Sequence, residues 1–530
     1  MSSQATHKIW FVVIVLAVLL AGCTGVTPVA PVAAPPAAAG ENLRIARVQA
    51  SPGNFADLDP SAACQGEYEL LLNVYETLTV YNPPGSAEPV RPVLATDWQT
   101  SADGLTWTFH LRDDVTFHDG TPLDASAVKF SVARNREKNA CSAYLYDAIA
   151  AIDTPDAHTV VFHLSYPAPL DLILSSGIAA FIMSPAAANK ESAWFGAGNE
   201  LGSGPYRIAQ YEPGQRMVLE RHPDYWGGWQ ENQIDRVVYE LLEDPVAGEQ
   251  MLRAGELDYA FSGFLADAQI TSLDALENLR LDVTPGLTNE LIFLNHRRAP
   301  TDNLLVRQAL AYSFPYDEVI ANTWLGQGTR AHGAVPTTVW GHIPEEPAVG
   351  YDPAKAKELL AQAGYPDGLE LTFTFDAQQR VTAELWQAAL AKIGVKLNLE
   401  EMEWTQRWEK QRSDPATAPE AYMIAWPPDV VGPYTYLFNM FHGEDEPLFN
   451  LGFYDDPAFD QLADEGNVLS GTDREAATEK FIAAQRMLNA DAAAIFIQDL
   501  PDPHIVAADL RGFVNNPAYN NTVLWYEVRR

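Results

Sequence analysis

Between Asp352 and Leu399 the apolar residues change period repeatedly, and that alternation restricts the fold more than any other stretch. Asp352-Pro353 is a helix start, because the Asp side chain caps the first turn and Pro fits a position whose N–H has no helical partner. Ala356, Leu359, Leu360 and Ala363 then recur at i, i+3, i+4 and i+7, and Gly364 ends the helix. Leu369, Leu371, Phe373 and Phe375 alternate as a strand. Val381–Ile393 forms a second helix stopped by Gly394, and Val395, Leu397 and Leu399 alternate again. This is a βαβ unit, which implies two parallel strands and a crossover helix. The second half of the chain therefore contains an α/β lobe.

The first half has another texture. Leu105, Trp107, Phe109 and Leu111 alternate with polar residues, as do Val160, Phe162 and Leu164 against Val161, His163 and Ser165. Between them Asp124–Asn135 reads as a helix with Val128 and Val132 on one face. Strand, helix and strand of this kind suggest an α+β unit. The fold class is mixed α/β and α+β, with no internal repeat. A chain of 530 residues is too long for one core, so two or three compact domains are expected.

At the N-terminus a basic residue, Lys8, precedes an apolar run from Ile9 to Leu20, and Leu20-Ala21-Gly22-Cys23 follows. This is the layout of a secretory signal, and its last residues resemble the lipobox of bacterial lipoproteins. Residues 1–22 are then a signal peptide, and Cys23 becomes a lipidated N-terminus. The alternative is an uncleaved signal anchor, but the run is shorter than the ~20 residues that span a bilayer. Residues 23–40 are rich in Ala and Pro and read as an extended linker. No later segment is long and apolar enough to cross a membrane. Of three cysteines, Cys64 and Cys141 remain once Cys23 carries lipid. Outside the cytoplasm disulfides persist, so a Cys64–Cys141 bridge is expected, with two separate buried thiols as the alternative.

The net charge of -36 argues against nucleic acid as a partner, since phosphate binding needs clustered Lys and Arg. It favours solubility and cationic ligands. Catalytic signatures are missing: there is no H-E-x-x-H, no G-x-S-x-G and no Walker loop. The pairs His110/His118 and His332/His342 lack metal-ligand spacing, so neither a metal nor a cofactor is expected. Gly202-Ser203-Gly204-Pro205-Tyr206 lacks the following helix that a phosphate loop needs. It reads as a tight turn into a strand beginning at Tyr206.

That same GSGPY, followed by YEPGQRMVLERHPDYWGG at Tyr211–Gly228, resembles the signature region of the family 5 solute-binding proteins, the dipeptide/oligopeptide receptors of ABC importers. Similar blocks occur in order: YETLTVY at Tyr75–Tyr81, the stretch Leu94–Ser131, RAGELDYA at Arg253–Ala260 and FLNHRRAPTDNLLVRQALAYS at Phe293–Ser313. The resemblance implies a two-lobed, periplasmic-binding-protein-like fold that closes on its ligand by a hinge. Lobe I would comprise residues 41–285, with an inserted subdomain at about 67–199, and residues 496–530 on their return. Lobe II would comprise residues 286–495. The hinge crossings would fall near Pro285–Leu294 and Ile495–Pro503.

The resemblance also implies site residues. An Asp in a W-x-x-D stretch takes a peptide's amino group, and here Trp426-Pro427-Pro428-Asp429 occupies that stretch. Asp429 is the first candidate, with an Asp capping a turn as the plainer reading. Trp404 aligns with a tryptophan that lines a side-chain pocket, and Trp408 and Trp426 join it, unless these are ordinary core residues. Ala63, Gln65 and Gly66 lie on a segment matching the strand beside bound peptide. Departures are Met423, where some members place a carboxylate-binding Arg; Gly432, which leaves a second acid missing; and Pro315, where many members have Asp.

These readings lead to an extracytoplasmic, lipid-anchored receptor, periplasmic where the host has an outer membrane. It would be monomeric and not an enzyme, binding an oligopeptide and docking on ABC permease subunits. An oligosaccharide receptor of the same family is the alternative. A secreted polymer hydrolase with two carboxylates across a cleft and a scaffolding lipoprotein are more distant rivals.

Overall fold

The computed structural model describes residues 43–530, apart from 56, 64–67, 87, 141, 262, 346–348, 444–448 and 520. The signal, the linker, Cys23 and both cysteines of the expected bridge lie outside the described residues, as do Gln65 and Gly66.

One mixed sheet of 11 strands runs through the molecule. Its centre is a pair of long antiparallel strands, Leu279–Leu294 and Ala494–Ala507. Residues 279–285 pair with 501–507, and 289–293 pair with 494–499. Between the two zones the register slips at Pro285–Asn289, and a Cβ on Gly286 would lie 2.4 Å from the Leu500 carbonyl oxygen. Backbone can pass this closely only where no side chain intervenes.

The strands flanking the two zones differ. Ala494–Ala507 continues into Tyr259–Phe261, Ile45–Ala50, Arg236–Leu241, Arg216–Arg221 and Tyr206–Glu212. Leu279–Leu294 continues into Ala421–Trp426, Glu370–Phe375 and Lys396–Glu401. The interior divides in the same way. One group of cores gathers residues 46–279 and 505–528, the first side. The other gathers residues 287–497, the second side. Among the described residues Val430 packs into the first-side core from the second side, and Trp340 and Val431 pack against it.

The βαβ reading holds. Asp352 caps the helix Pro353–Gln362, with Ala356, Leu359 and Leu360 buried; Ala363 is its C-cap, and Gly364 follows at φ 94°. Glu370–Phe375 and Lys396–Glu401 are parallel and joined through the helix Arg380–Ala391. On the first side a separate four-stranded antiparallel sheet contains Ala95–Thr100, Thr106–Leu111, Thr159–Leu164 and Ile149–Asp156. The helix Ala125–Lys138 joins two of these strands; Asp124 caps it, and Val128 and Val132 are buried as expected.

The GSGPY segment corrects the sequence reading in one respect. Its glycines do not make a tight turn; they let backbone lie against backbone. A Cβ on Gly202 would fall 1.9 Å from the Val74 oxygen, and one on Gly204 2.8 Å from it. The Gly204 amide donates to that oxygen at 2.9 Å before the strand Tyr206–Glu212 begins.

Candidate functional site

The site is built on the end of one strand. Along Ala421–Trp426 the side chains alternate: Tyr422, Ile424 and Trp426 join one second-side core, while Ala421 and Met423 join the other. Pro427 and Pro428 have no N–H to offer a neighbouring strand, so pairing stops there. Gly432 then occupies the cap position, and Pro433 starts the helix Pro433–Phe441. Asp429 is thus held in a short loop between strand and helix. Met423, at the position of the missing arginine, is fully buried in the core.

Residues from the first side grip this loop. The Tyr144 hydroxyl donates to Asp429 Oδ2 at 2.5 Å. The Ser176 hydroxyl donates to the Asp429 backbone oxygen at 3.1 Å, and the Val431 amide donates to Tyr81 Oη at 3.2 Å. Among the described residues no Lys, Arg or His approaches the Asp429 carboxylate, and no backbone N–H donates to it. Burial raises its pKa, and the Tyr144 hydrogen bond offsets part of that rise. A half-buried carboxylate whose neighbour is a neutral phenol is poised for a cation.

Tyr144 carries no motif that marks it. It belongs to the short 3-10 turn Ala143–Tyr146, is 45% exposed, and lies 285 positions from its partner. An exposed aromatic just after a helix was the sole signal available.

A row of aromatic rings leads away from the strand end. Trp426 and Phe449 lie 4.5 Å apart between centroids, Phe449 and Trp408 4.7 Å, and Trp408 and Trp404 5.0 Å, all tilted edge to face. Trp404 and Trp408 sit one turn apart on the helix Trp404–Arg412, so both project from one face. Trp404 is 44% exposed at one end of the row; Trp426 is buried at the other, its Nε1 without a hydrogen-bond partner among the described residues. Arg407 on the same helix points inward and is held by Asp376, Gln379 and the Met423 carbonyl. Ala63 is fully buried in the first-side core.

Beside Asp429 lies a cavity of ≈ 390 Å³ shared by the two sides. Tyr144, Tyr166 and Ile173 line it from the first side, and Trp340, Tyr434 and Phe438 from the second. A cross-side ion pair stands nearby: Arg474 donates to the buried Asp171 at 2.6 Å. Among the described residues no cluster of His, Cys, Asp or Glu could hold a metal ion, and no helix is long and apolar enough to cross a membrane.

Residues 89–447 match the family described as bacterial extracellular solute-binding proteins, family 5. The chain belongs to this family. Among curated family 5 relatives, one from Escherichia coli K12 named "Probable D,D-dipeptide-binding periplasmic protein DdpA" is 28% identical, the match covering 88% of this chain and 91% of that protein. Glutathione-binding protein GsiB of Pectobacterium atrosepticum is 30% identical, over 76% of this chain and 79% of its own length. Among solved structures, the periplasmic binding protein DppA of Helicobacter pylori in complex with peptide STSA superposes with a TM-score of 0.74 at 25% identity, covering 92% of this chain and 98% of that one. The mixed α/β architecture is that of periplasmic binding proteins, and the relatives are named for binding, not for catalysis.

Proposed function

We propose that this family 5 protein is an extracytoplasmic receptor that binds an oligopeptide between two lobes and delivers it to an ABC permease. The observation that carries the reading is Asp429: a carboxylate raised in pKa by burial, with a phenol and, among the described residues, no cation beside it. In this reading the peptide's α-ammonium sits on Asp429 and Tyr144. The row Trp404, Trp408 and Trp426 walls the chain that follows, and the segment of Ala63, Gln65 and Gly66 is its further contact. The core of residues 43–285 with the C-terminal return is lobe I, and residues 286–495 are lobe II. The register slip at Pro285–Asn289 opposite Asp499–Pro501 is the hinge. Ligand then favours the closed form, because only that form contacts it from both sides. Cys23 carries the lipid that tethers the receptor to the outer face of the cell membrane, and the protein works as a monomer without cofactor or catalysis.

The test is calorimetric titration of the protein, expressed without residues 1–22, with free and N-acetylated tripeptides at pH 7. Binding of free peptides that acetylation weakens at least 100-fold supports the reading. Equal affinity for both forms, or affinity for a glycan and none for any peptide, overturns it.

A further inference from the structure

We propose that the cavity beside Asp429 receives the side chain of the ligand's first residue, so that the receptor selects peptides beginning with a bulky apolar or aromatic amino acid. The inference rests on the reading of Asp429 as the amine site and adds the substrate class to it.

Connectivity carries the argument. In a peptide the α-ammonium and the first side chain branch from the same carbon. An ammonium on Asp429 therefore holds that side chain within one residue's reach of the carboxylate. The walls nearest Asp429 are also walls of the cavity: Val430 and Gly432 follow it in the loop, and Tyr144, whose hydroxyl meets Oδ2, lends its ring to the lining. Trp404, Trp408 and Trp426 do not line this cavity, so it is a compartment apart from the aromatic row.

The chemistry of the lining sets the class. Aromatic faces come from both sides, and a volume of ≈ 390 Å³ is roomy enough for an indole ring. Among the described residues Asp147 is the one charged side chain that lines it, and no Lys or Arg does. An acidic first residue would meet a carboxylate and no counter-charge, whereas an aromatic one would bury apolar surface against aromatic faces. Gly432 leaves the loop thin where it borders the space: a Cβ there would meet Leu172 at 3.6 Å and Trp340 at 3.9 Å.

The experiment measures Kd by calorimetry for Phe-Ala-Ala, Ala-Ala-Phe, Gly-Ala-Ala and Glu-Ala-Ala. Phe-Ala-Ala is expected to bind at least about tenfold tighter than its isomer Ala-Ala-Phe and than Gly-Ala-Ala, with Glu-Ala-Ala weakest. In Thr435→Phe, which places a ring in the cavity from the helix Pro433–Phe441, the ratio of Phe-Ala-Ala to Gly-Ala-Ala affinity should fall to about one. Binding of all four peptides with equal affinity overturns the inference and leaves the Asp429 reading standing. Failure of every peptide to bind overturns both.

Discussion

Two aromatic surfaces flank Asp429, and they differ in where their residues come from. The row of Trp404, Trp408, Phe449 and Trp426 belongs wholly to the second side. The cavity joins Tyr144 and Tyr166 from the first side to Trp340, Tyr434 and Phe438 from the second. A one-sided surface keeps its shape whether the sides approach or part. A two-sided one has its full lining only when they meet. Under the proposed function the row would serve first capture of a solute, and the cavity would sense whether the solute lets the sides close.

Asp429 lies in the loop between Trp426 of the row and Val430 of the cavity lining, so its loss should have the largest effect. Asp429→Asn keeps the shape and the Tyr144 hydrogen bond but removes the charge. Affinity for free tripeptides should fall about 100-fold or more by calorimetry, as for loss of a desolvated charge pair. Thermal stability should be unchanged or slightly higher, because a carboxylate raised in pKa by burial is replaced by a neutral amide. An affinity within threefold of the parent would mean that the row alone holds the ligand, and the contrast between the two surfaces would lose its pivot.

The ion pair across the sides comes next. Asp171 is almost fully buried, and Arg474 is about one-third exposed. Asp171→Asn leaves Arg474 without its counter-charge, at a cost of about 1–2 kcal/mol once exposure is discounted. If closure bears that cost, every peptide should lose roughly tenfold in affinity, whatever its first residue. A loss confined to Phe-first peptides would instead make Asp171 part of the cavity's selectivity.

How much of this was visible in the sequence follows the same division. Elements made by local rules were legible: Asp352-Pro353 and Asp124 cap helices where the pattern placed them, and Leu371, Phe373 and Leu397 are buried on parallel strands. Asp429 and the tryptophans stand in recognisable stretches, and their neighbours follow from period and prolines. Tyr144 and Trp340 were not legible, because a cavity between distant segments has no period and no spacing. In the sequence the glycines of GSGPY look like turn formers, because a turn is a local event. Their actual reason, the Val74 carbonyl, lies more than a hundred residues earlier. Met423 was legible as a departure, though not its burial in the core.

The strand pair Leu279–Leu294 and Ala494–Ala507 runs through both sides, and a buried acid in that pair links stability to pH. Burial pushes Glu290 up to about 7, against a partial offset from Gln498, whose Nε2 donates at 2.8 Å. Its pKa is higher folded than unfolded, so the folded state binds the extra proton between about 4.5 and 7. That contribution is fully present below pH 4.5 and is lost as pH rises through 7. Glu290→Gln should therefore lessen the fall in unfolding free energy from pH 5 to pH 8 by on the order of 2 kcal/mol, read from urea titrations at each pH. Part of the fall should persist, because burial also raises Glu76 to about 7 and Asp499 to about 6. The ratio of Phe-first to Gly-first affinity should not move; a change there would mean that the strand pair shapes the cavity directly.

The smallest effect is expected at the open end of the row. Trp404 is 44% exposed and rests on Trp408 by one edge-to-face contact. Trp404→Ala therefore removes a ring that is a little over half buried, and stability should fall by roughly 1–2 kcal/mol. Peptide affinity should fall about three- to tenfold, since a ring that stacks on the ligand from one side contributes roughly 1 kcal/mol. The decisive feature is uniformity. Loss of a surface that touches the chain beyond the first residue should weaken Phe-Ala-Ala and Gly-Ala-Ala by the same factor, whereas Thr435→Phe should lower the ratio between them. If Trp404→Ala erased the first-residue preference and Thr435→Phe left it intact, the roles of the two surfaces would be exchanged: the one-sided row would select, and the shared cavity would merely close.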